Sequence, residues 1–120
     1  MLIYEQDSKV ATITLNRPEK HNALSGKLRD ELTDCLDKIE GNEDIDVTIL
    51  TGSGPSFCAG FDISEFQTED VETVFKHAVK YHHKVYNFSK PLIAAVNGKA
   101  LAGGMDLSAM CDLRIISTES

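Results

Sequence analysis

The sequence predicts an α/β fold, and three observations carry that expectation. Short apolar or β-branched runs recur at residues 10–15, 47–50 and 92–96. Two long stretches of helical periodicity separate them, one from Ser25 to about Glu40 and one ending near Phe88. The last apolar run leads through Asn97-Gly98 into a glycine pair, Gly103-Gly104, which opens a third helical pattern. Strands alternating with helices in this way imply crossover units around a sheet.

Taken in order, residues 2–15 read as a hairpin or a pair of short strands. Leu2, Ile3 and Tyr4 form the first, Gln6-Asp7-Ser8 supplies turn chemistry, and the second places Ala11, Ile13 and Leu15 on one face with Thr12 and Thr14 opposite. Residues 16–25, NRPEKHNALS, are polar and irregular, and Arg17 before Pro18 favours extended backbone. Such a segment suits a surface or ligand-contacting loop. Ser25 is the expected N-cap of a helix whose buried stripe is Leu28, Leu32, Cys35, Leu36 and Ile39, stopped by Gly41.

After an acidic linker, residues 47–50 read as a buried strand ending in the loop Thr51-Gly52-Ser53-Gly54-Pro55. Ligands usually collect at that end of a parallel strand. Ala59 and Gly60 are small enough for a ligand or a second backbone to approach. Residues 64–70 are acidic and loop-like. The following helix carries Val71, Val74, Phe75, Ala78, Val85 and Tyr86 at helical spacing, and Lys90-Pro91 ends it. Residues 92–96, wholly apolar, fit a strand buried on both faces. In the third helix Leu107 and Met110 share a face, with Ala109 beside them, and a last strand covers 113–116.

With 120 residues the chain suffices for one modest core. Hydrophobic residues make up 42% and charged ones 26%, the balance of a globular protein, and the net charge of −7 disfavours nucleic acid and anionic membrane surfaces as partners. The beginning of the sequence shows neither a basic leader nor an Arg-rich amphipathic one, so a cytoplasmic protein is expected. Cys35, Cys58 and Cys111 are odd in number and widely spaced, which reads as buried thiols and not as a disulfide framework or a zinc site.

The chemistry-bearing candidates are few. His77, His82 and His83 lack the spacing of a helical zinc pair and are expected on a solvated face, so no metal is assigned. His21, in the polar loop, is a ligand-edge candidate. The string GKALAGGM lacks the Lys-Ser/Thr ending of a phosphate loop, and neither a dinucleotide fingerprint nor a nucleophile elbow occurs. Two glycine-associated backbone sites remain, around Ala59-Gly60-Phe61 and at Gly103-Gly104. A glycine pair opening a helix leaves N–H groups unpaired at the positive end of the helix dipole, suited to an anion or a developing oxyanion. Asp106 lies within the first turn of that helix, where it serves either as an acid/base group or as a charge complementing the dipole.

At these residues the sequence resembles the crotonase superfamily, the enoyl-CoA hydratase/isomerase family. Four blocks match in order: ITLNRPEKHNALS, VTILTGSGPSFCAGFDISEF, KPLIAAVNGKALAGGMDLS and MCDLRIIS. The resemblance implies a spiral of ββα units that binds acyl-CoA thioesters, with coenzyme A arriving as part of the substrate and no separate cofactor. It also implies that the N–H groups of Phe61 and Gly103 form the oxyanion hole for the thioester oxygen. Asp106 falls at the first catalytic carboxylate, a glutamate in many hydratases and an aspartate in dienoyl-type isomerases. His21, Ala23, Ala59, Asp62 and Ile63 fall where the family contacts CoA, and Gly104 counts with them as a substrate-binding position. The whole of 1–120 corresponds to the N-terminal part of a crotonase-like domain; the second hydratase glutamate and the C-terminal helices of the family would follow Ser120. Two readings stay open: a 2-enoyl-CoA hydratase or isomerase, or a non-catalytic acyl-CoA-binding fragment or subunit. In either, a homo-oligomer or a complementing C-terminal chain is the expected partner.

Overall fold

The structure, a computed structural model, describes residues 1–118. Among the described residues, seven strands, three α-helices and two short 3-10 turns follow one another along the chain. The strands are β1 (Leu2–Asp7), β2 (Val10–Leu15), β3 (Val47–Gly52), β4 (Ser56–Cys58), β5 (Leu92–Val96), β6 (Lys99–Ala100) and β7 (Leu113–Ile116). The helices are α1 (Gly26–Glu40), α2 (Val71–Tyr86) and α3 (Gly103–Met110), with 3-10 turns at Pro18–Lys20 and Ile63–Gln67.

A five-stranded sheet runs in the order β1-β2-β3-β5-β7. The β1–β2 hairpin is antiparallel, and every other pair in the sheet is parallel. β4 and β6 form a separate two-stranded parallel sheet. Each turn of the chain therefore places one strand in the large sheet and one in the small sheet, then returns through a helix: β3-β4-α2, then β5-β6-α3. This is a spiral of ββα units, as the resemblance implied.

The strand order explains where the core sits. From β2 to β7 the parallel strands advance in one direction, and right-handed crossovers then put every helix on the same side. Ala11, Ile13 and Leu15 of β2, Leu50 of β3, and Leu92, Ala94 and Val96 of β5 meet Leu28, Leu32, Leu36 and Ile39 of α1 in one buried cluster that also takes in Tyr81, Val85 and Leu107. The expectation that residues 92–96 are buried on both faces is corrected by the same argument. Ile93 and Ala95 are only half-buried, because the helices cover one side of the sheet.

α1 forms as its sequence requires. Ser25 caps it, its side chain accepting from the Leu28 N–H at 3.2 Å, and Gly41 ends it. Cys35, expected on the buried stripe, is half-buried at its edge. α2 is capped by Asp70, which accepts from the Thr73 N–H at 2.7 Å. Its buried face is Val74, Ala78, Tyr81 and Val85; Val71, Phe75 and Tyr86, at matching helical spacing, point outward. The stretch expected as an acidic loop contains the 3-10 turn Ile63–Gln67, set by Asp62 accepting from the Ser64 N–H.

Burial pushes the Cys58 thiol up to about 11 and the Cys111 thiol up to about 12, so both stay protonated as small apolar groups. Among the described residues no helix is long and apolar enough to cross a membrane.

Candidate active site

Two backbone segments meet at the start of α3. The first runs out of β4 through Ala59, Gly60 and Phe61. The Cys58 carbonyl accepts from the Leu101 N–H on the α3 side. The Ala59 N–H and the Gly60 carbonyl bond to His21 and Leu24 on the opposite side, as does the Asp62 N–H, which donates to the Leu24 carbonyl. Leu24 and Phe61 thus form a single parallel bridge. In such a bridge the intervening N–H faces away from the partner strand. The Phe61 N–H therefore faces the α3 side, where no acceptor among the described residues receives it.

The second segment is the helix N-terminus itself. Gly103 is the first residue of α3, and its N–H is also without an acceptor among the described residues. The two segments touch: a Cβ on Gly60 would lie 3.1 Å from the Gly103 nitrogen, and one on Gly103 would lie 3.4 Å from the Gly60 Cα. Gly60 also has φ +100°, a conformation L side chains rarely adopt, so glycine is needed there twice over. Two open N–H donors at one glycine junction, at the positive end of a helix, form a cradle for an oxygen that carries or develops negative charge.

Asp106 is exposed in the first turn of α3, with its N–H bonded to the Ala102 carbonyl at 3.1 Å. Tyr81 lies below, its hydroxyl buried and without a hydrogen-bond partner among the described residues. Burial holds the Tyr81 phenol well above its ordinary range, with the neighbouring thiols and the Asp106 charge adding to the effect. That phenol stays neutral.

The loop 16–25 packs against the same segment. His21 and Asn22 both have positive φ. Asn22, fully buried, accepts from the Arg17 N–H through Oδ1 and donates through Nδ2 to the Ser53 and Ser56 carbonyls. The His21 ring contacts the Ser56 hydroxyl at 3.1 Å. Arg17 donates to the Ala23 carbonyl and pairs with Asp62 at 2.8 Å. His21, Ala23, Ala59 and Asp62 are therefore brought together along one seam. Ile63 stands at the end of that seam and is 81% exposed. Gly104 is not open to a ligand in the same way. It is buried, its N–H donates to the Leu101 carbonyl at 2.7 Å, and a Cβ there would fall 2.0 Å from the Cys58 carbonyl oxygen. It is a packing glycine that lets α3 seat against β4.

Beside Phe61 lies an apolar hollow of about 290 Å³, walled by Phe66, Val71, Phe75, Val79 and His82. His82 was expected on a solvated face but is half-buried, with its ring 6.0 Å from that of Phe61 and its Nδ1 bonded to the Ala78 carbonyl. His77 likewise has partners, Arg29 and Asp30.

Sequence reasoning missed Arg29, which is 1% exposed and surrounded by acceptors. A signal was present: Arg29 stands three and seven residues before Leu32 and Leu36, on the buried stripe itself.

Comparison with known proteins settles the lineage. The sequence matches the enoyl-CoA hydratase/isomerase family over residues 5–120. The chain belongs to that family. It is 38% identical to the short-chain-enoyl-CoA hydratase of Clostridium acetobutylicum, an alignment covering 99% of this chain and 47% of that protein. It is 37% identical to 4-chlorobenzoyl coenzyme A dehalogenase-1 of an Arthrobacter species, covering 92% of this chain and 43% of the relative. Among solved structures, the enoyl-CoA hydratase of Bacillus anthracis superposes with a TM-score of 0.88 at 37% identity, over 96% of this chain and 46% of that one. An enoyl-CoA hydratase subunit of Geobacillus kaustophilus gives 0.90 at 35% identity, over 98% and 46%. The chain thus spans less than half the length of the curated family relatives it matches.

Proposed function

We propose that this chain binds an acyl-CoA thioester and stabilises its enolate, acting on a 2-enoyl-CoA by hydration or by a double-bond shift. The observation that supports this reading best is the pair of open N–H groups, Phe61 and Gly103, at the Gly60–Gly103 junction. A thioester carbonyl seated there gains its strongest hydrogen bonds as charge moves onto oxygen, an effect worth about 3–4 kcal/mol per donor in comparable sites. Asp106, one turn along α3, is the carboxylate for holding a water or carrying a proton. The seam of His21, Ala23, Ala59, Asp62 and Ile63 is the place for the CoA moiety, which arrives with the substrate. No separate cofactor is part of this reading.

The test is the loss of conjugated-thioester absorbance of a short 2-enoyl-CoA, with purified chain and with Asp106→Ala. Turnover abolished by the substitution, with CoA-ester affinity nearly intact, is the expected result. Undiminished turnover in the variant removes Asp106 from the mechanism.

A second reading is a non-catalytic acyl-CoA-binding fragment or subunit, in which the exposed Asp106 serves as a charge complementing the start of α3. It predicts saturable binding without product. Under both readings a second copy or a complementing chain is the expected partner. A monomer in sedimentation that neither binds nor converts acyl-CoA counts against both.

A further inference from the structure

Arg29 is the largest side chain among the fully buried residues, and a buried guanidinium is costly unless every part of it is satisfied. Here it is. Nη1 donates to the Leu24 carbonyl at 3.0 Å, Nη2 reaches both carboxylate oxygens of Glu65 at 3.0 Å, and Nε donates to His77 Nδ1 at 3.0 Å. The guanidinium carbon also lies 4.6 Å from the centroid of the Phe61 ring. These partners come from the loop before α1, from the turn at Ile63–Gln67 and from α2.

Two of these contacts converge on Phe61. Leu24, whose carbonyl Arg29 holds, is the residue whose N–H and carbonyl bracket Phe61 in the parallel bridge. The ring of Phe61 is held by the guanidinium face. Arg29 thus grips Phe61 from the backbone and from the side chain at once, and with it the direction of the Phe61 N–H.

The His77 contact makes this grip conditional. For Nδ1 to accept from Arg29, the imidazole must be neutral with its proton on Nε2, which then donates to Asp30 Oδ1 at 2.8 Å. Protonation adds a hydrogen to Nδ1, so a donor faces a donor beside a buried cation. The charges facing His77 are Arg29 and Asp30 of α1, with Lys27 of α1 and Asp62, Glu65 and Glu69 around the same polar hollow; its own helix adds Lys76 and Lys80 on either side in sequence. In that state the Nε2–H can still donate to Asp30 while the Arg29 bond is lost.

We propose that Arg29 is a positioning residue for the Phe61 N–H, and that it holds its place only while His77 is neutral. The consequence for acyl-CoA rests on the reading given above, but the placement of Phe61 does not.

The deciding measurement is the ¹⁵N–¹H signal of the Phe61 amide in the free chain, followed from pH 5 to 8, in the intact sequence, in His77→Gln and in Arg29→Lys. The intact chain is expected to show a Phe61 signal that moves with pH. His77→Gln removes the titration and leaves the signal near its high-pH position. Arg29→Lys keeps the charge but loses the fork, and displaces the Phe61 signal at every pH while remote strand signals stay put. A Phe61 signal indifferent to pH in the intact chain, or titrating unchanged in His77→Gln, overturns the proposal, and the half-exposed His77 keeps that arm informative if Arg29→Lys fails to fold. Butyryl-CoA affinity measured on the same samples is expected to fall with the same midpoint. Absence of binding at any pH, alongside the Phe61 titration, overturns the acyl-CoA reading and leaves the Arg29 placement supported.

Discussion

Arg17 and Asp62 meet at 2.8 Å, with each side chain about 15% exposed, and join the polar loop before α1 to the strand that leads out of β4. Arg17 also holds the Ala23 carbonyl, so one guanidinium fixes both sides of the seam between the loop and the segment that leaves β4. The Ser64 hydroxyl bond and the Arg17 contact keep the Asp62 carboxyl below the usual carboxylate range, against the opposing pull of burial.

That depression has a defined sign. A carboxylate whose folded value lies below its unfolded value of about 3.9 stabilises the fold fully above that pH, and the contribution is lost as pH falls through the folded value. Asp62→Asn should therefore flatten the acid limb of the stability profile below about pH 4. It should also weaken the protein at neutral pH by about 1 kcal/mol. Glu40, lowered chiefly by its bond to Lys84, acts in the same direction, so part of the acid limb should survive. Urea unfolding at a series of pH values checks this; an acid limb identical to that of the unsubstituted chain excludes Asp62 as its source.

Ala102 precedes α3 with φ 47° and ψ −115°, a conformation in which glycine carries no Cβ penalty. Strain of this kind costs about 1–3 kcal/mol, and the extra freedom glycine gives the unfolded chain takes back about 0.4–1 kcal/mol. Ala102→Gly should thus stabilise the fold by about 1 kcal/mol net. A thermal melt decides the sign directly, because lower stability in the variant means the alanine is unstrained.

Thr48, near the start of β3, is fully buried, and its hydroxyl has no hydrogen-bond partner among the described residues. Valine keeps the β-branched shape and removes the stranded polar group, so Thr48→Val should gain about 1 kcal/mol. For a domain of this size that corresponds to a rise of about 4 °C in Tm. A fall in Tm would reveal that the hydroxyl is satisfied in solution.

Much of this architecture was legible in the chain because it depends on local chemistry. Alternation in residues 10–15 fixed which side of β2 is buried, since a pleated strand has a period of two. Ser25 and Gly41 bounded α1 through capping, which involves only neighbouring residues. The glycine pair at 103–104 marked the close approach of α3 to the segment leaving β4, because packing that tight leaves no room for a side chain.

Other features depend on what lies across the fold. Residues 92–96 look alike in sequence, yet the one-directional strand order buries one face and leaves the other half-open. On α2, Tyr81 is inside and Phe75 outside, a choice made by where α1 and the Phe61 ring lie. Gly104 reads like its neighbour Gly103, but only the nearness of the Cys58 carbonyl makes one a packing residue and the other an open donor. The sequence by itself determined the five strands of the large sheet, the three helices, the bounds of α1 and the two glycine-bearing segments. The tertiary structure decided which N–H groups find no acceptor among the described residues and where the buried Arg29 charge sits, because an unpaired group is defined by the partners that distant parts of the chain do or do not supply.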